Sequence, residues 1–225
     1  MSDLLDRVRA AFGARFRVER EMETGGLTTA FAAQEVTSGR DVVLKVLRPE
    51  VTANLDVEQF LAAITPMRDL AHPHILSPYE AGETNGFLYY AVSHMGGVTV
   101  RDKLDTHGRA PIAQTVRIVR GVVDALAYAH GRGILHLGVR PENVLLAGGE
   151  VQLMDLGVVQ AVHAPRSPEL AAPDSTHVEY RAPEQVSGDA VDHRTDIYQV
   201  GALAYELLTG QPPGEGGFRA IVERR

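Results

Sequence analysis

The 225-residue chain contains no cysteine and no tryptophan, and only two of its 22 basic residues are lysines, Lys45 and Lys103. The absence of cysteine excludes disulfides, thiolate metal sites, a cysteine nucleophile and thiol redox chemistry. No apolar run approaches the roughly 20 residues of a membrane helix, and no charged-then-apolar leader opens the sequence. We therefore expect a globular, cytoplasmic protein without a membrane segment.

Charge and composition narrow the functional classes further. The formal net charge is −7, and hydrophobic residues make up 44% of the chain. An acidic balance argues against a general nucleic-acid binder, because such proteins normally carry a basic surplus. The length permits one large domain or two smaller lobes with a sizeable core.

The first half of the chain shows strand periodicity behind a short amphipathic helix, which is predicted at residues 2–13. Three strand candidates follow between residues 16 and 47. Residues 52–71 return to helical spacing with a proline inside, which predicts a kinked or shortened helix. Further strands are expected near residues 75–81 and 87–92, on either side of an Asn-Gly pair that is typical of a hairpin.

The second half is mostly helical by pattern. Helices are predicted over residues 111–131 and 194–209, with a hairpin around Gly148-Gly149 and an unperiodic, proline-rich stretch over 161–183. The first of these helices has apolar residues at alternating spacings of four and three, which predicts that this stripe is buried. The stripe consists of Ile112, Val116, Val119, Val123, Leu126 and His130.

Several short motifs occur in a fixed order along this framework. Val-Val-Leu-Lys lies at 42–45, His-Leu-Gly-Val-Arg-Pro-Glu-Asn at 136–143, Asp-Leu-Gly at 155–157 and Ala-Pro-Glu at 182–184. This set resembles the lysine strand, catalytic loop, metal-binding motif and Ala-Pro-Glu motif of protein kinases. In order and spacing the chain resembles the bacterial serine/threonine (Hanks-type) kinases from residue 15 to about residue 213.

The resemblance implies an α+β fold with two lobes. We expect an N-terminal helix at 1–14, an N-lobe with a small antiparallel sheet and one helix at 15–95, and a mainly helical C-lobe at 96–225. Kinases continue with several more helices where this chain stops, so the resemblance implies an incomplete or shortened C-lobe. Such a lobe would expose an apolar face to a partner or to a second copy.

Three residues match the family's nucleotide and metal ligands. Lys45 lies at the position of the phosphate-binding lysine, and Asn143 and Asp155 lie at the positions of the two metal ligands. In that family a lysine and metal ions neutralise the phosphates of ATP, so the resemblance implies ATP and Mg²⁺. Without the motif context, the same residues would read as a surface lysine, a turn asparagine and a strand-end aspartate.

Other positions depart from the family's pattern. Gly138 replaces the catalytic aspartate, and loss of a general base typically lowers a rate by about 10²–10⁴. Leu137 replaces the neighbouring arginine, and Ala63 lies where the family has the glutamate that pairs with the lysine. Glu58 lies five residues earlier, about 140° around the helix, so it should face elsewhere.

The glycine-rich loop also departs from the pattern. Glu23, Gly25 and Thr28 occupy the three glycine positions, with Gly26 beside them. A side chain at 28 obstructs close approach of phosphates, so an ordinary hairpin turn and a phosphate cradle both remain open. The residues that form the adenine roof in the family correspond to Ala30 and Val43, with small and large side chains exchanged, a swap that a packed pocket tolerates.

Together these features predict a pseudokinase that binds a protein partner in a regulatory or scaffolding role and can hold ATP, with weak or no dependence on Mg²⁺. The alternatives are a divergent active kinase that transfers the ATP γ-phosphate to protein, and a binding module without nucleotide. Homo-oligomers would form through the shortened C-lobe, and nucleic acid is not an expected partner.

Overall fold

The structure is a computed structural model that describes residues 3–53, 55–163 and 175–214. Its contacts divide the chain into two compact units. The first unit takes in the chain up to Asp69 and again Ser77–Met95, and the second takes in Leu70–Leu76 and the chain from Gly96 onward. The units are described separately below.

A five-stranded antiparallel sheet in the order β1-β2-β3-β5-β4 forms the centre of the first unit. Asn85 and Gly86, both with positive φ, close the predicted hairpin between β4 and β5. The primed turns that match strand twist need such residues, which is why the Asn-Gly signal was informative. The strands are β1 (Phe16–Gly25), β2 (Thr28–Glu35), β3 (Asp41–Leu47), β4 (Glu80–Thr84) and β5 (Phe87–Ser93).

Helix α1 (Asp3–Phe12) packs its apolar face on this sheet, as its amphipathic pattern predicts. Phe12 is fully buried among aromatic rings of β1 and β5, with its ring centroid 4.9 Å from that of Tyr89. Burial of such large side chains contributes about 1.5–3 kcal/mol each. The first unit is therefore held together by an apolar core that contains a group of packed aromatic rings.

The segment predicted as one helix at 52–71 is broken into pieces. It consists of α2 (Pro49–Thr52), α3 (Val57–Ile64) and a 3₁₀ turn at Thr65–Asp69. The α-helix ends before Pro66, which has no amide hydrogen to continue the hydrogen-bond ladder. The strand expected at 75–81 was likewise placed too early, because β4 begins at Glu80 and Ile75 makes only an isolated bridge to Leu153.

The second unit is mainly helical and also contains a small sheet. Its helices are α4 (Val100–His107), α5 (Ile112–His130), α6 (Val158–His163), α7 (Pro183–Ser187) and α8 (His193–Thr209). Its strands are β6 (Val98–Thr99), β7 (Val144–Ala147) and β8 (Glu150–Leu153), and they lie in the order β6-β7-β8. The sheet of the first unit and the helices of the second confirm the predicted α+β class. Among the described helices, none combines the length and apolarity needed to cross a membrane.

Helices α5 and α8 run antiparallel and pack together. The Ala110 amide just before α5 donates to the carbonyl of Leu207 at 2.7 Å, and His130 at the other end lies 2.7 Å from the Asp196 carboxylate. The stretch 161–183, predicted to be irregular, contains the end of α6, a 3₁₀ turn at Ser175–Tyr180 and the start of α7 in its described parts.

The predicted burial of α5 is wrong for most of its stripe. Ile112 and Val116 are 55% and 54% exposed and Val123 is also exposed, whereas Leu126 is buried. The face that packs inside the unit is a neighbouring one with smaller side chains. It consists of Thr115, Ile118, Gly121, Val122, Ala125, Leu126 and Ala129. Small residues let β8 and α8 approach closely, and a Cβ added at Gly121 would lie 2.9 Å from Val151.

Candidate functional site

The sheet of the first unit places three predicted ligands on one face. Lys45 on β3 is paired in register with Ala30 on β2, and Val43 lies two residues before Lys45. Directly paired residues and residues two apart in a strand point to the same side of a sheet. Lys45, Val43 and Ala30 therefore share the face opposite the α1 core, and Lys45 is largely buried.

The predicted glycine loop is a tight turn between β1 and β2. Gly25 pairs with Thr28, so only Gly26 and Leu27 form the turn. Gly26 has φ +58°, a conformation that glycine adopts without steric cost. Thr28 is buried. The side chain of Glu23 lies outside the described residues.

Sequence reasoning missed a cation beside this turn. The Arg48 guanidinium donates to the carbonyl of Gly26 at 3.1 Å, and the Arg48 amide donates to the carbonyl of Leu27 at 3.0 Å. Arg48 therefore supports the turn from the end of β3. Its place directly after the lysine strand was the available signal, but only strand pairing shows that it reaches the loop.

Helix α3 carries the position that should present a glutamate. Ala63 is half-buried near its end, while Glu58 is exposed in its first turn. Glu58 makes no ion pair within the part of the chain that the structure describes. The helix therefore has no carboxylate at position 63. Glu58 is exposed, as expected for a residue about 140° around the helix from position 63.

In the second unit, the segment 136–143 is held by side chains from α7 and α8. The buried Asp196 carboxylate accepts from the amides of His136 and Leu137 at 2.9 and 2.7 Å. Gln199 accepts from the Val139 amide at 2.9 Å. Leu137 has φ +60°, which is unfavourable for a non-glycine residue, so this backbone is imposed by its surroundings.

Asn143 and the residue before Asp155 are joined directly. The Met154 amide donates to the carbonyl of Asn143 at 2.8 Å, and the Asn143 side-chain amide donates to the carbonyl of Gly138 at 2.8 Å. Asp155 follows with φ +60°. The structure thus brings Gly138, Asn143 and Asp155 into one small region of the second unit.

His136 lies at the centre of this region and is fully buried. Its Nε2 lies 2.9 Å from the carbonyl of Met154, and its Nδ1 accepts from the Gly138 amide at 3.2 Å. Burial is the main cause that lowers the pKa of the His136 imidazole below its ordinary value, so the ring is neutral at pH 7. The partners assign the proton to Nε2, which donates to the Met154 carbonyl, so the side chain of His136 has a hydrogen-bonding role.

Helix α6 lies beside Gly138. A Cβ added at Gly138 would meet Val159 Cγ2 at 3.3 Å, Nδ1 of His136 at 3.7 Å and Nδ2 of Asn143 at 3.9 Å. Gln160 anchors the same helix by accepting from the Leu135 amide at 2.9 Å. The space next to Gly138 is therefore bordered by an apolar side chain.

A buried charged cluster that the sequence analysis missed supports the same segment. Arg101 donates to Glu142 at 2.7 Å, to Glu206 at 2.8 Å and to the Tyr180 hydroxyl at 2.9 Å. Tyr180 also donates to Glu206. Glu206 is only 1% exposed. The available signal was the spacing of three polar residues, Asp196, Gln199 and Glu206, along one face of a helix that is mostly apolar from residue 200 onward.

The residues present fit the ligands that the fold implies. Asn143 and Asp155 supply amide and carboxylate oxygens, the ligand atoms that Mg²⁺ prefers. Because the Asn143 amide nitrogen is engaged with Gly138, the orientation of its side-chain oxygen is set. Elsewhere in the described ranges no group of three or more His, Cys, Asp or Glu side chains could hold a metal ion.

Comparison with known proteins agrees with this arrangement. A family model described as "Protein kinase domain" matches residues 16–222. The chain is 31% identical over 204 residues to the probable serine/threonine-protein kinase pknA2 of Bifidobacterium longum, covering 88% of this chain and 27% of that protein. It is 35% identical over 195 residues to the serine/threonine-protein kinase PknB of Mycobacterium leprae, covering 84% of this chain and 31% of that protein.

A third relative is the serine/threonine-protein kinase PknD of Mycobacterium tuberculosis, at 32% identity over 218 residues, 95% of this chain and 32% of that protein. The chain thus spans about a third or less of the length of these curated relatives. The extent of the family match and the antiparallel sheet followed by a helical unit lead to one conclusion: the chain belongs to the protein kinase domain family, with bacterial serine/threonine kinases among its relatives.

Proposed function

We propose that this chain is a pseudokinase: a protein kinase domain with impaired catalysis that acts as a regulator or scaffold in the cytoplasm. The observation that carries the proposal is Gly138 at the catalytic aspartate position, with Val159 bordering it. A glycine has no group that accepts the substrate hydroxyl proton. Loss of that general base lowers the rate by about 10²–10⁴.

The helix position at Ala63 adds a second impairment. In the family a glutamate from this helix orients the phosphate-binding lysine, and α3 has alanine there. Repair of one position alone would therefore leave the other impairment in place. Two independent losses support a binding role over phosphoryl transfer.

ATP binding is part of the proposal. Lys45, the backbone of Gly25 and Gly26, and the face formed by Ala30 and Val43 would hold the nucleotide in the first unit. Asn143 and Asp155 would hold Mg²⁺, which supplies neutralisation of charge on the phosphates. With the general base missing, we infer that nucleotide stabilises the fold rather than serving as a phosphoryl donor, with weak or no dependence on Mg²⁺.

The second candidate function is a divergent serine/threonine kinase that transfers the ATP γ-phosphate to protein. It is favoured by the presence of Lys45, Asn143 and Asp155 at the family's ligand positions. The largely dissociative character of phosphoryl transfer also lessens the dependence on a strong base. The C-lobe, from residue 96 onward, is proposed to offer its surface to a protein partner or a second copy.

Thermal unfolding with ATP, in the presence and absence of Mg²⁺, tests the proposal together with a radiolabelled transfer assay. We expect ATP to stabilise the protein without Mg²⁺, because ligand at 100 times its Kd adds about 2.7 kcal/mol of stability. Lys45→Ala should abolish that shift. Efficient transfer that disappears in both Lys45→Ala and Asp155→Ala would overturn the pseudokinase proposal and establish the active kinase.

A further inference from the structure

The turn between β1 and β2 has a defined backbone geometry. Gly25 pairs with Thr28, so the two central residues of the turn are Gly26 and Leu27. Gly26 has a φ of +58°, whereas Leu27 does not have a positive φ. A positive φ at the first central residue alone is the combination that type II′ hairpin turns use, and it favours glycine there. The peptide group that joins Gly26 to Leu27 is therefore the central peptide of a tight turn.

Arg48 holds this turn through two hydrogen bonds. Its backbone amide donates to the carbonyl of Leu27 at 3.0 Å, and its guanidinium Nη1 donates to the carbonyl of Gly26 at 3.1 Å. The Glu50 carboxylate lies 3.4 Å from Nε of the same guanidinium. Because a guanidinium is planar and presents its donors in a fixed fork, these two partners set its orientation. The side chain of Arg48 thereby fixes the direction in which the central peptide of the turn points.

The face of the sheet on which Arg48 lies follows from the alternation of side chains along β3. Successive side chains of a strand point to opposite faces, so Lys45 and Leu47 share one face. Arg48 comes next with extended backbone angles, φ −68° and ψ 144°, and its side chain therefore leaves on the other face. Its hydrogen bond consequently holds the Gly26 carbonyl toward the face opposite Lys45.

The direction of this carbonyl determines where the next amide points. Within the described residues no peptide bond is cis, and the C=O and N–H of a trans peptide point in opposite directions. With the Gly26 carbonyl on the Arg48 side, the Leu27 amide points toward the Lys45 side. In the part of the chain that the structure describes, the Leu27 amide donates no hydrogen bond. An anion held on the face of Lys45 could therefore accept from it.

We propose that Arg48 is a positioning residue for nucleotide binding, which holds the β1–β2 turn so that the Leu27 amide donates to a phosphate of ATP. Arg48 itself lies on the opposite face of the sheet and does not touch the nucleotide. The inference rests on the ATP binding proposed above and adds a residue that lies outside the motif positions. It also specifies which part of the ligand depends on Arg48: the phosphates, and neither the base nor the ribose.

Isothermal titration calorimetry with ATP and with adenosine, both without Mg²⁺, tests the proposal. Arg48→Met removes the guanidinium and keeps an apolar side chain of similar length. It should weaken ATP binding about tenfold, the effect of ordering one further residue of backbone on binding. The affinity for adenosine, which has no phosphate, should not change. Arg17→Met removes the same charge at an exposed position of β1 and should leave both affinities unchanged.

A second set of variants removes the proposed donor itself. Leu27→Pro deletes the N–H at a turn position without a positive φ, where proline is tolerated, and Leu27→Ala retains it. ATP binding should be weaker in Leu27→Pro than in Leu27→Ala. Because Arg48 acts through this amide, adding Arg48→Met to Leu27→Pro should cause little further loss. Losses that add in full would show that Arg48 acts by another route and would overturn the proposal.

Hydrogen exchange of the nucleotide-free protein measures the positioning directly. Arg48→Met should lose protection in residues 24–29, whereas Arg17→Met should not. Unchanged exchange in Arg48→Met, unchanged ATP binding, or equal weakening of ATP and adenosine binding would each overturn this inference, while ATP binding by the wild-type protein would stand. If the wild-type protein bound neither ligand, the proposed ATP binding would fail and this inference would fail with it.

Discussion

The two units of this chain are stabilised in different ways. The first packs Phe12, Phe16 and Tyr89 between α1 and the sheet, with a polar contact between Arg15 and Glu80 at its edge. The second buries polar groups: Asp196, Gln199, Glu206 and His136 are each at most 2% exposed, and all are hydrogen-bonded.

This difference bears on how each unit holds the residues at the family's motif positions. In the second unit, the buried side chains of Asp196 and Gln199 accept hydrogen bonds from the backbone of residues 136–143 and hold it in place. None of these hydrogen bonds involves the side chain at position 138. A glycine at position 138 is therefore compatible with the shape of this loop. In the first unit, the apolar core packs on one face of the sheet. Lys45 lies on the opposite face and is not part of that core.

The largest expected effect is on the polar cluster. Asp196→Ala removes the acceptor of two buried backbone amides and of His130, so we expect a loss of about 4 kcal/mol in the free energy of unfolding. Urea unfolding measures this loss. Asp192→Ala, at the exposed cap of the same helix, should cost about 1 kcal/mol. Similar losses for both variants would contradict the central role assigned to Asp196.

A somewhat smaller effect is expected in the apolar core. Phe12→Ala removes a buried ring that contacts Phe16, Phe87 and Tyr89, and should cost about 3 kcal/mol. Hydrogen exchange should show lost protection in β1 and β5 and little change in α5 and α8. Met22→Ala, at an exposed position of β1, is the matched control with a cost below about 0.5 kcal/mol. Equal loss of protection throughout the chain would show that the units do not differ as described.

Acid should weaken the second unit through Glu142. Burial opposes ionisation of this carboxyl, but the hydrogen bond from Arg101, with further help from the backbone and nearby positive charge, lowers its pKa below the ordinary value of 4.5. A lowered pKa in the folded state contributes stability above pH 4.5, and this stability is lost as pH falls through the folded pKa.

We therefore expect the stability of the wild-type protein to fall below about pH 4.5, and the slope to be shallower in Glu142→Gln. Urea unfolding at a series of pH values measures both slopes. Glu58→Gln, at an exposed position of α3, should leave the slope unchanged. If the stability of Glu142→Gln depended on pH as steeply as that of the wild-type protein, Glu142 would not be a cause of the acid sensitivity.

The smallest expected effect is at Gly138. Gly138→Asp should not restore phosphoryl transfer, because α3 still has alanine at position 63. The added side chain would meet Val159 at 3.3 Å from its Cβ, so a stability change below about 1 kcal/mol is expected. Gly138→Ala controls for the added Cβ. A clear gain of transfer in Gly138→Asp alone would show that position 63 matters less than proposed.

Much of the fold could be predicted because its signals are local. The Asn85-Gly86 turn, the Gly148-Gly149 hairpin and the long helices α5 and α8 follow from spacing and turn chemistry. The residues of the candidate site were predicted from the order and spacing of the sequence motifs. Arg48 and Arg101 were missed because each acts on residues far along the chain, so a local signal near the residue does not identify its partners.

The sequence by itself determined the family, the order of helices and strands, and the lack of a carboxylate at positions 138 and 63. Each of these depends on residue identity or on short-range spacing. Only the tertiary structure decided which face of α5 is buried, that Val159 borders Gly138, and that Asp196 holds the loop. The reason is that burial depends on contacts between segments that are distant in sequence. The face of α5 with Gly121, Ala125 and Ala129 packs against β8 and α8, and Ile112, Val116 and Val123 remain exposed.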